Sequence, residues 1–303
     1  GKSKRIVMCV WGLTGTGKST HGMYVFDEHN KHSFIQRFGI DPTEYLLDQV
    51  IRNDDIVAIF EDRVYSSERG SWTKTEDVTE LQLPIWRAAM SPRALHENTE
   101  FGLDGNPSLE GKIFQYQGAQ NRNARSVFDL EDTGYFDGQI DSSSPLNMAV
   151  FISPGNFCDY AWVKLEDLAF AAKVLADGRT VGHPAQSLAV VGKELYESRY
   201  CLPFTMGVSN AVHVIRFYEI LKKRKEKGTP VDLYLLSTVG KIGSEYEWVE
   251  EKLGERGYVM PRSKLKTGSN GIPKPIGGTS PTIEETELFL LQAAREAIEY
   301  EHH

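Results

Sequence analysis

Cysteine is scarce. The 303-residue chain has three, Cys9, Cys158 and Cys201. They are scattered and include no C-x-x-C pair, so neither a disulfide framework nor a cysteine-built zinc site is expected. That usage fits a reducing, cytoplasmic compartment. Positive charge is also in deficit, with 34 Lys and Arg against 42 Asp and Glu and a net charge of −8. This argues against a nucleic-acid-binding surface, although a local basic pocket remains compatible with it. No apolar run is long enough to cross a bilayer and no signal-peptide pattern opens the chain, so no membrane partner is expected. Internal repeats and clear linkers are absent too. The chain therefore reads as a single domain over residues 1–303. Its last residues, Glu301-His302-His303, look like the start of a purification tag and are set aside from the chemistry.

What is present is an alternation of apolar runs and amphipathic stretches, which makes the class α/β. Residues Arg5–Val10, Ile56–Phe60, Ala149–Ser153 and Val231–Ser237 read as strands. Asp41–Ile51, Thr79–Met90, Leu165–Leu175 and Ser209–Lys227 read as helices, with Gly178 closing the third and a lysine-rich end on the fourth. A last helix starts at Ser280-Pro281 or Thr282 and runs to about Tyr300. Residues Arg262–Thr279, rich in Gly, Pro, Lys and Ser, read as a long loop.

The most specific local signal is Gly12-Leu13-Thr14-Gly15-Thr16-Gly17-Lys18-Ser19, which fits G-x-x-x-x-G-K-[ST]. Glycines in this pattern let backbone N–H groups turn inward around phosphate oxygens. The lysine reaches the β and γ phosphates, and the serine hydroxyl ligates Mg²⁺. A strand before the loop and a helix from Thr20 onward are the context the motif needs. A nucleotide-bound metal also calls for a carboxylate. Asp54 and Asp55, just ahead of the apolar run Ile56–Phe60, are the candidates. The usual Walker pattern places its acid after a strand, so this is not an ordinary P-loop ATPase.

Taken in order, these features resemble ATP-dependent phosphoenolpyruvate carboxykinase. The likeness rests on the loop Gly12–Thr20, the Asn53-Asp54-Asp55 segment, Lys74-Thr75 and IWRAAMSPRALHEN at Ile85–Asn98. It continues through Asn123-Ala124-Arg125, the strand Val150–Ser153, Val163-Lys164-Leu165 and the strand–turn Leu235–Gly243. It covers most of the chain and is strongest in the first half; GTP-dependent relatives carry a different loop. The resemblance implies a mixed sheet with flanking helices in a P-loop carboxykinase-like nucleotide-binding domain. It implies ATP, Mg²⁺ and Mn²⁺ as cofactors and oxaloacetate and phosphoenolpyruvate as small-molecule substrates. In the implied lyase reaction, which belongs to gluconeogenesis, oxaloacetate and ATP give phosphoenolpyruvate, CO₂ and ADP. Lys18 would polarise the transferred phosphoryl group and Ser19 would ligate nucleotide-bound Mg²⁺. Asp55 would hold the catalytic Mn²⁺, with Asp54 close by, and Lys74 and Lys164 would add charge along the phosphoryl path. Many members carry an arginine where Lys164 stands, and lysine lacks its planar fork.

Two departures matter. The family's loop lies near the middle of a chain about twice as long, so the resemblance implies the C-terminal nucleotide-binding half. An N-terminal half, with a substrate-binding arginine and a lysine and histidine for Mn²⁺, would be its partner. The stretch between Lys18 and Asp54 is also long and holds His21, His29 and His32. A lid is one reading of it, and surface histidines are favoured over metal ligands. Alternatives to a carboxykinase are a P-loop kinase of the same group acting on another acceptor, such as a protein serine, or a nucleotide-binding module without catalysis.

Overall fold

A computed structural model describes residues 4–12, 16–75, 78–109, 124–153, 162–181, 194–196, 198, 200, 208–236, 246–253, 258–265 and 281–298. In chain order the first elements are β1 (Met8–Trp11), α1 (Lys18–Gly22), α2 (Glu28–Phe38), β2 (Val57–Ile59), β3 (Val64–Ser66) and β4 (Gly70–Lys74). Next come α3 (Leu83–Ala89), β5 (Leu95–Glu97), β6 (Arg125–Asp129), β7 (Met148–Ile152), β8 (Trp162–Lys164) and α4 (Leu168–Asp177). The remainder are β9 (Arg179–Val181), β10 (Glu194–Tyr196), α5 (Asn210–Glu226), β11 (Asp232–Leu236), β12 (Tyr246–Leu253), β13 (Tyr258–Leu265) and α6 (Ile283–Ala294). No described helix is long and apolar enough to cross a membrane. Contacts divide the chain into two units, one of residues Gly1–Lys18 with Leu146–Thr286, the other of Ser19–Pro145 with Glu287–His303.

The first unit is an α/β layer built on a mixed sheet in the order β1-β7-β11-β8. β1, β7 and β11 run parallel and β8 runs antiparallel to β11. All five residues of β7, Met-Ala-Val-Phe-Ile, are buried, as expected of a strand covered on both faces. Flanking helices supply the cover. Ala171, Val174 and Leu175 of α4 approach Phe151 and Leu233 across a small apolar space. The α4 ends follow from its caps. Asp167 accepts from the N–H groups of Ala169 and Phe170, and Gly178 closes the helix at φ 52°. On α5, Phe217 and Leu221 are buried, and the Phe217 ring lies 6.2 Å from that of Trp11. Arg224, 3% exposed, keeps its guanidinium satisfied by donating to the carbonyls of Leu146 at 2.8 Å and Thr229 at 2.9 Å.

The second unit has a three-stranded antiparallel sheet, β4-β6-β5, the β2–β3 hairpin and helices α2 and α3. Its core gathers Met23, Val25, Ile51, Ile85, Phe128 and Leu130 among others. The stretch following the phosphate loop is therefore packed structure: it supplies three of those core residues, and α2 buries Phe34 completely. His29 and His32 are exposed as the sequence suggests, but His21 is buried at 4% exposure.

Two expectations are overturned. Residues 41–51 do not form a helix; only a 3₁₀ turn, Pro42–Glu44, is present. The Asp41 carboxylate accepts from the Thr43 N–H at 2.9 Å and tightens the chain locally, and Leu47 is 85% exposed, so no apolar face exists to stabilise a longer helix. Residues 262–265 of the expected loop belong to β13, paired with β12. Residues 266–279 lie outside the described residues.

Candidate functional site

The loop follows β1 at the edge of the parallel sheet. A β carbon on Gly12 would meet the Thr16 side chain and would lie 3.1 Å from the Ile152 carbonyl, so a larger residue would displace either the loop or β7. Thr16 is 2% exposed and Gly17 adopts φ 92°, a left-handed conformation suited to glycine. Leu13, Thr14 and Gly15 lie outside the described residues. Helix α1, carrying Lys18, Ser19 and Thr20, is only five residues long. Its macrodipole is correspondingly small. The Gln82 side-chain amide donates to Thr20 Oγ1 at 3.3 Å.

His21 Nδ1 and Glu287 Oε1 lie 2.7 Å apart, both residues being buried, although they are 266 positions apart in sequence. Burial raises the Glu287 carboxyl above its ordinary range, and the contact with His21 opposes that rise. His21, two residues beyond the Gly12–Ser19 signature, is thereby tied to α6.

Asp54 and Asp55 differ sharply. Asn53 Oδ1 accepts from the Asp55 N–H at 2.5 Å, and Asn53 Nδ2 donates to the Ile56 carbonyl at 3.1 Å, so the turn is clamped by its own side chain. The Asp55 carboxylate is exposed. Asp54 Oδ2 accepts from Ser71 Oγ at 2.5 Å and from Thr73 Oγ1, and the two hydroxyls also contact each other. Ser71 and Thr73 are each 3% exposed.

Lys74 ends β4, directly across from Arg125 of β6, whose guanidinium lies 4.7 Å from the centre of the Trp72 ring. Lys164 is placed differently. Its ammonium pairs with Asp232 Oδ1 at 2.7 Å. Asp232 shares a row of the sheet with Met8, whereas Trp11, which leads into the loop, shares one with Leu235. Lys164 therefore reaches toward the far end of the parallel strands, about 10 Å of strand from the loop edge. Of the residues singled out in the sequence, Gly12–Lys18 and Lys164 belong to the first unit, and Ser19, Thr20, Asp54, Asp55 and Lys74 to the second.

Among the described residues, no three His, Cys, Asp or Glu side chains form a group able to hold a metal by themselves. The Ser19 hydroxyl and the Asp54 and Asp55 carboxylates are hard oxygen donors of the kind Mg²⁺ and Mn²⁺ prefer. The Cys9 thiol is pushed up to about 12 by burial and so stays protonated; Cys158 and Cys201 lie outside the described residues.

Sequence reasoning overlooked Ser71, Thr73 and Glu287. Ser71 and Thr73 left a faint signal, since Ser-Trp-Thr-Lys alternates small hydroxyls with larger residues at the period of a strand. Glu287 left none, because its partner is 266 residues distant. No family model matches the chain, and no curated protein matches it.

Proposed function

We propose that this chain binds ATP with a divalent metal and serves as the nucleotide-binding part of a phosphotransferase resembling ATP-dependent phosphoenolpyruvate carboxykinase. The observation that carries the reading is the complete G-x-x-x-x-G-K-S signature placed directly after a strand of the parallel sheet, with Gly12 packed against Ile152 and Gly17 in a left-handed conformation. Loops leaving the carboxyl ends of parallel strands are where α/β proteins hold ligands.

In this reading Gly12 to Thr20 surround the triphosphate, and Lys18 neutralises the oxygens of the group in transfer. Ser19, Asp54 and Asp55 hold the metal, which supplies charge neutralisation on the phosphates. Lys74 adds positive charge. The carboxykinase reaction would use that arrangement to move the γ-phosphoryl group of ATP onto the enolate formed when oxaloacetate loses CO₂.

One observation favours a second reading, a P-loop phosphotransferase of the same structural group with another acceptor, such as a protein serine. Lys164 pairs with Asp232 at the far end of the sheet, so a charge the carboxykinase comparison assigns to the phosphoryl path is engaged elsewhere. A coupled assay with oxaloacetate, ATP, Mg²⁺ and Mn²⁺ separates the two. Phosphoenolpyruvate formed at the 1–10³ s⁻¹ usual for enzymes supports the carboxykinase. ATP binding without that product, together with transfer from labelled ATP to a serine-containing peptide, supports the kinase.

A further inference from the structure

We propose that Glu287 and His21 are positioning residues for the phosphate-binding segment: their buried contact sets the orientation of α1, the helix that begins with Lys18 and Ser19. This rests on the functional reading above and adds two residues that act on the nucleotide only through α1.

α1 cannot hold itself. It is Lys-Ser-Thr-His-Gly, five residues of which only the lysine is a good helix former. Isolated helices shorter than about 12–15 residues are marginal in water. One backbone bond closes its turn, from the Met23 N–H to the Ser19 carbonyl at 3.0 Å. Beyond Gly22 the chain enters the core, where Met23, Tyr24 and Val25 are buried. That fixes where α1 ends, but not how it is turned about its axis. His21 supplies the missing constraint. It is buried, and its ring meets Glu287 Oε1 at 2.7 Å. At 3.6 residues per turn Ser19 stands about 160° round the helix from His21. A ring held on one side therefore directs the serine hydroxyl on the other. The contact of Gln82 with Thr20, at 3.3 Å, is a longer and weaker second anchor.

Glu287 suits this task because α6 is pinned at both ends. Residues 287, 290 and 291 share a helix face, and Leu290 and Leu291 are buried with Glu287. Roughly 12 Å further along the axis, the Arg295 guanidinium lies 3.4 Å from the centre of the Tyr45 ring. His21, Tyr45, Glu287 and Arg295 all belong to the second unit. α6 can neither rotate nor slide without breaking one of these contacts, so the carboxyl is presented at a fixed point. The arrangement is costly. Burial acts against the charged form of Glu287, and an apolar pair of similar volume often stabilises a fold as well or better. An apolar pair lacks direction, however, and a hydrogen bond between two planar groups has it.

The test is calorimetric titration of Mg·ATP into the full chain, well below the melting temperature recorded for each variant. The His21→Leu/Glu287→Leu double variant should melt higher than Glu287→Leu, yet bind Mg·ATP about 10-fold more weakly than the wild type, the loss of one charge-assisted phosphate contact. Glu287→Gln, which keeps a hydrogen-bonding partner for the ring, should bind as the wild type does. On a Lys18→Ala background the double substitution should weaken binding by less than it does alone, because a contact that depends on the orientation is already gone. A role confined to stability gives another pattern, with affinity following melting and restored in the double variant. That pattern, or wild-type affinity in the folded double variant beside a weakened Lys18→Ala, overturns the proposal and leaves the functional reading standing. If the double variant does not fold, Glu287→Met decides: about 10-fold weaker binding by the folded chain supports the proposal, and wild-type affinity overturns it. Wild-type affinity in Lys18→Ala removes the functional reading itself, and the proposal with it.

Discussion

The four-stranded and the three-stranded sheets of this protein solve opposite problems. β7 of the first unit is Met-Ala-Val-Phe-Ile, buried throughout, and nothing polar on it needs a partner beyond the backbone. β4 of the second is Gly-Ser-Trp-Thr-Lys, with hydroxyls turned inward and Trp72 60% exposed. Its neighbours continue the inversion, since Val127 and Leu95, in the same cross-strand row as Trp72, are 43% and 71% exposed. An ordinary half-buried sheet shows water its polar face; this one keeps polar groups inside, where Asp54 is. The first sheet is thus a packed platform that launches a glycine-rich loop after Trp11. The second holds a polar side-chain cluster, fixed by register. A backbone site tolerates any sequence that packs beneath it, whereas a side-chain site depends on particular atoms.

That contrast can be broken by mutation, and the effects should fall in order. Leu236, fully buried on β11, belongs to the platform. Leu236→Ala should destabilise by about 2–5 kcal/mol through lost transfer energy and a cavity, read by urea unfolding, and a loss well under 1 kcal/mol would mean that the platform is not close-packed. Glu287→Leu should follow at about 1–3 kcal/mol, because it strands the buried His21 ring without its acceptor or donor. A companion His21→Leu/Glu287→Leu variant should recover part of that loss, as an apolar pair needs no partner. Trp72→Thr should matter least, about 0.5–1 kcal/mol, from an exposed contact with the Arg125 guanidinium. A much larger loss there would show that the outward row is covered and that the inversion of the second sheet is only apparent.

How much of this was legible in the sequence divides along the same line. Continuous apolar runs marked β7 and β11, and spacing with end signals marked α4 and α5; Asp167, Gly178 and Ser209 stand at the caps. The phosphate-loop signature was legible because it is contiguous and its glycines have backbone reasons. The β4-β6-β5 sheet was not, because its apolar residues face outward and its strands pair across some 50 positions, Thr73 with Ser126. The 41–51 stretch misled for the converse reason: Leu47 has helix-like spacing but no surface to pack on. Asp54 and Asp55 were legible only as a pair, with Asp55 singled out by the family resemblance alone; the contacts of Asp54 with the β4 hydroxyls come from strand register that the sequence did not show. Lys164 was chosen by its place in a segment, while its pairing with Asp232 depends on β8 lying antiparallel to β11.

The central claim is that the backbone loop after β1 holds a nucleotide triphosphate. Calorimetric titration of Mg·ATP into the wild-type chain and Lys18→Ala tests it most directly. The lysine supplies a charge-assisted phosphate contact worth about 1.5–3 kcal/mol, so the variant should bind roughly 10–150-fold more weakly with its thermal melting unchanged. Wild-type affinity in Lys18→Ala, or no Mg·ATP binding by the wild-type chain, would contradict it.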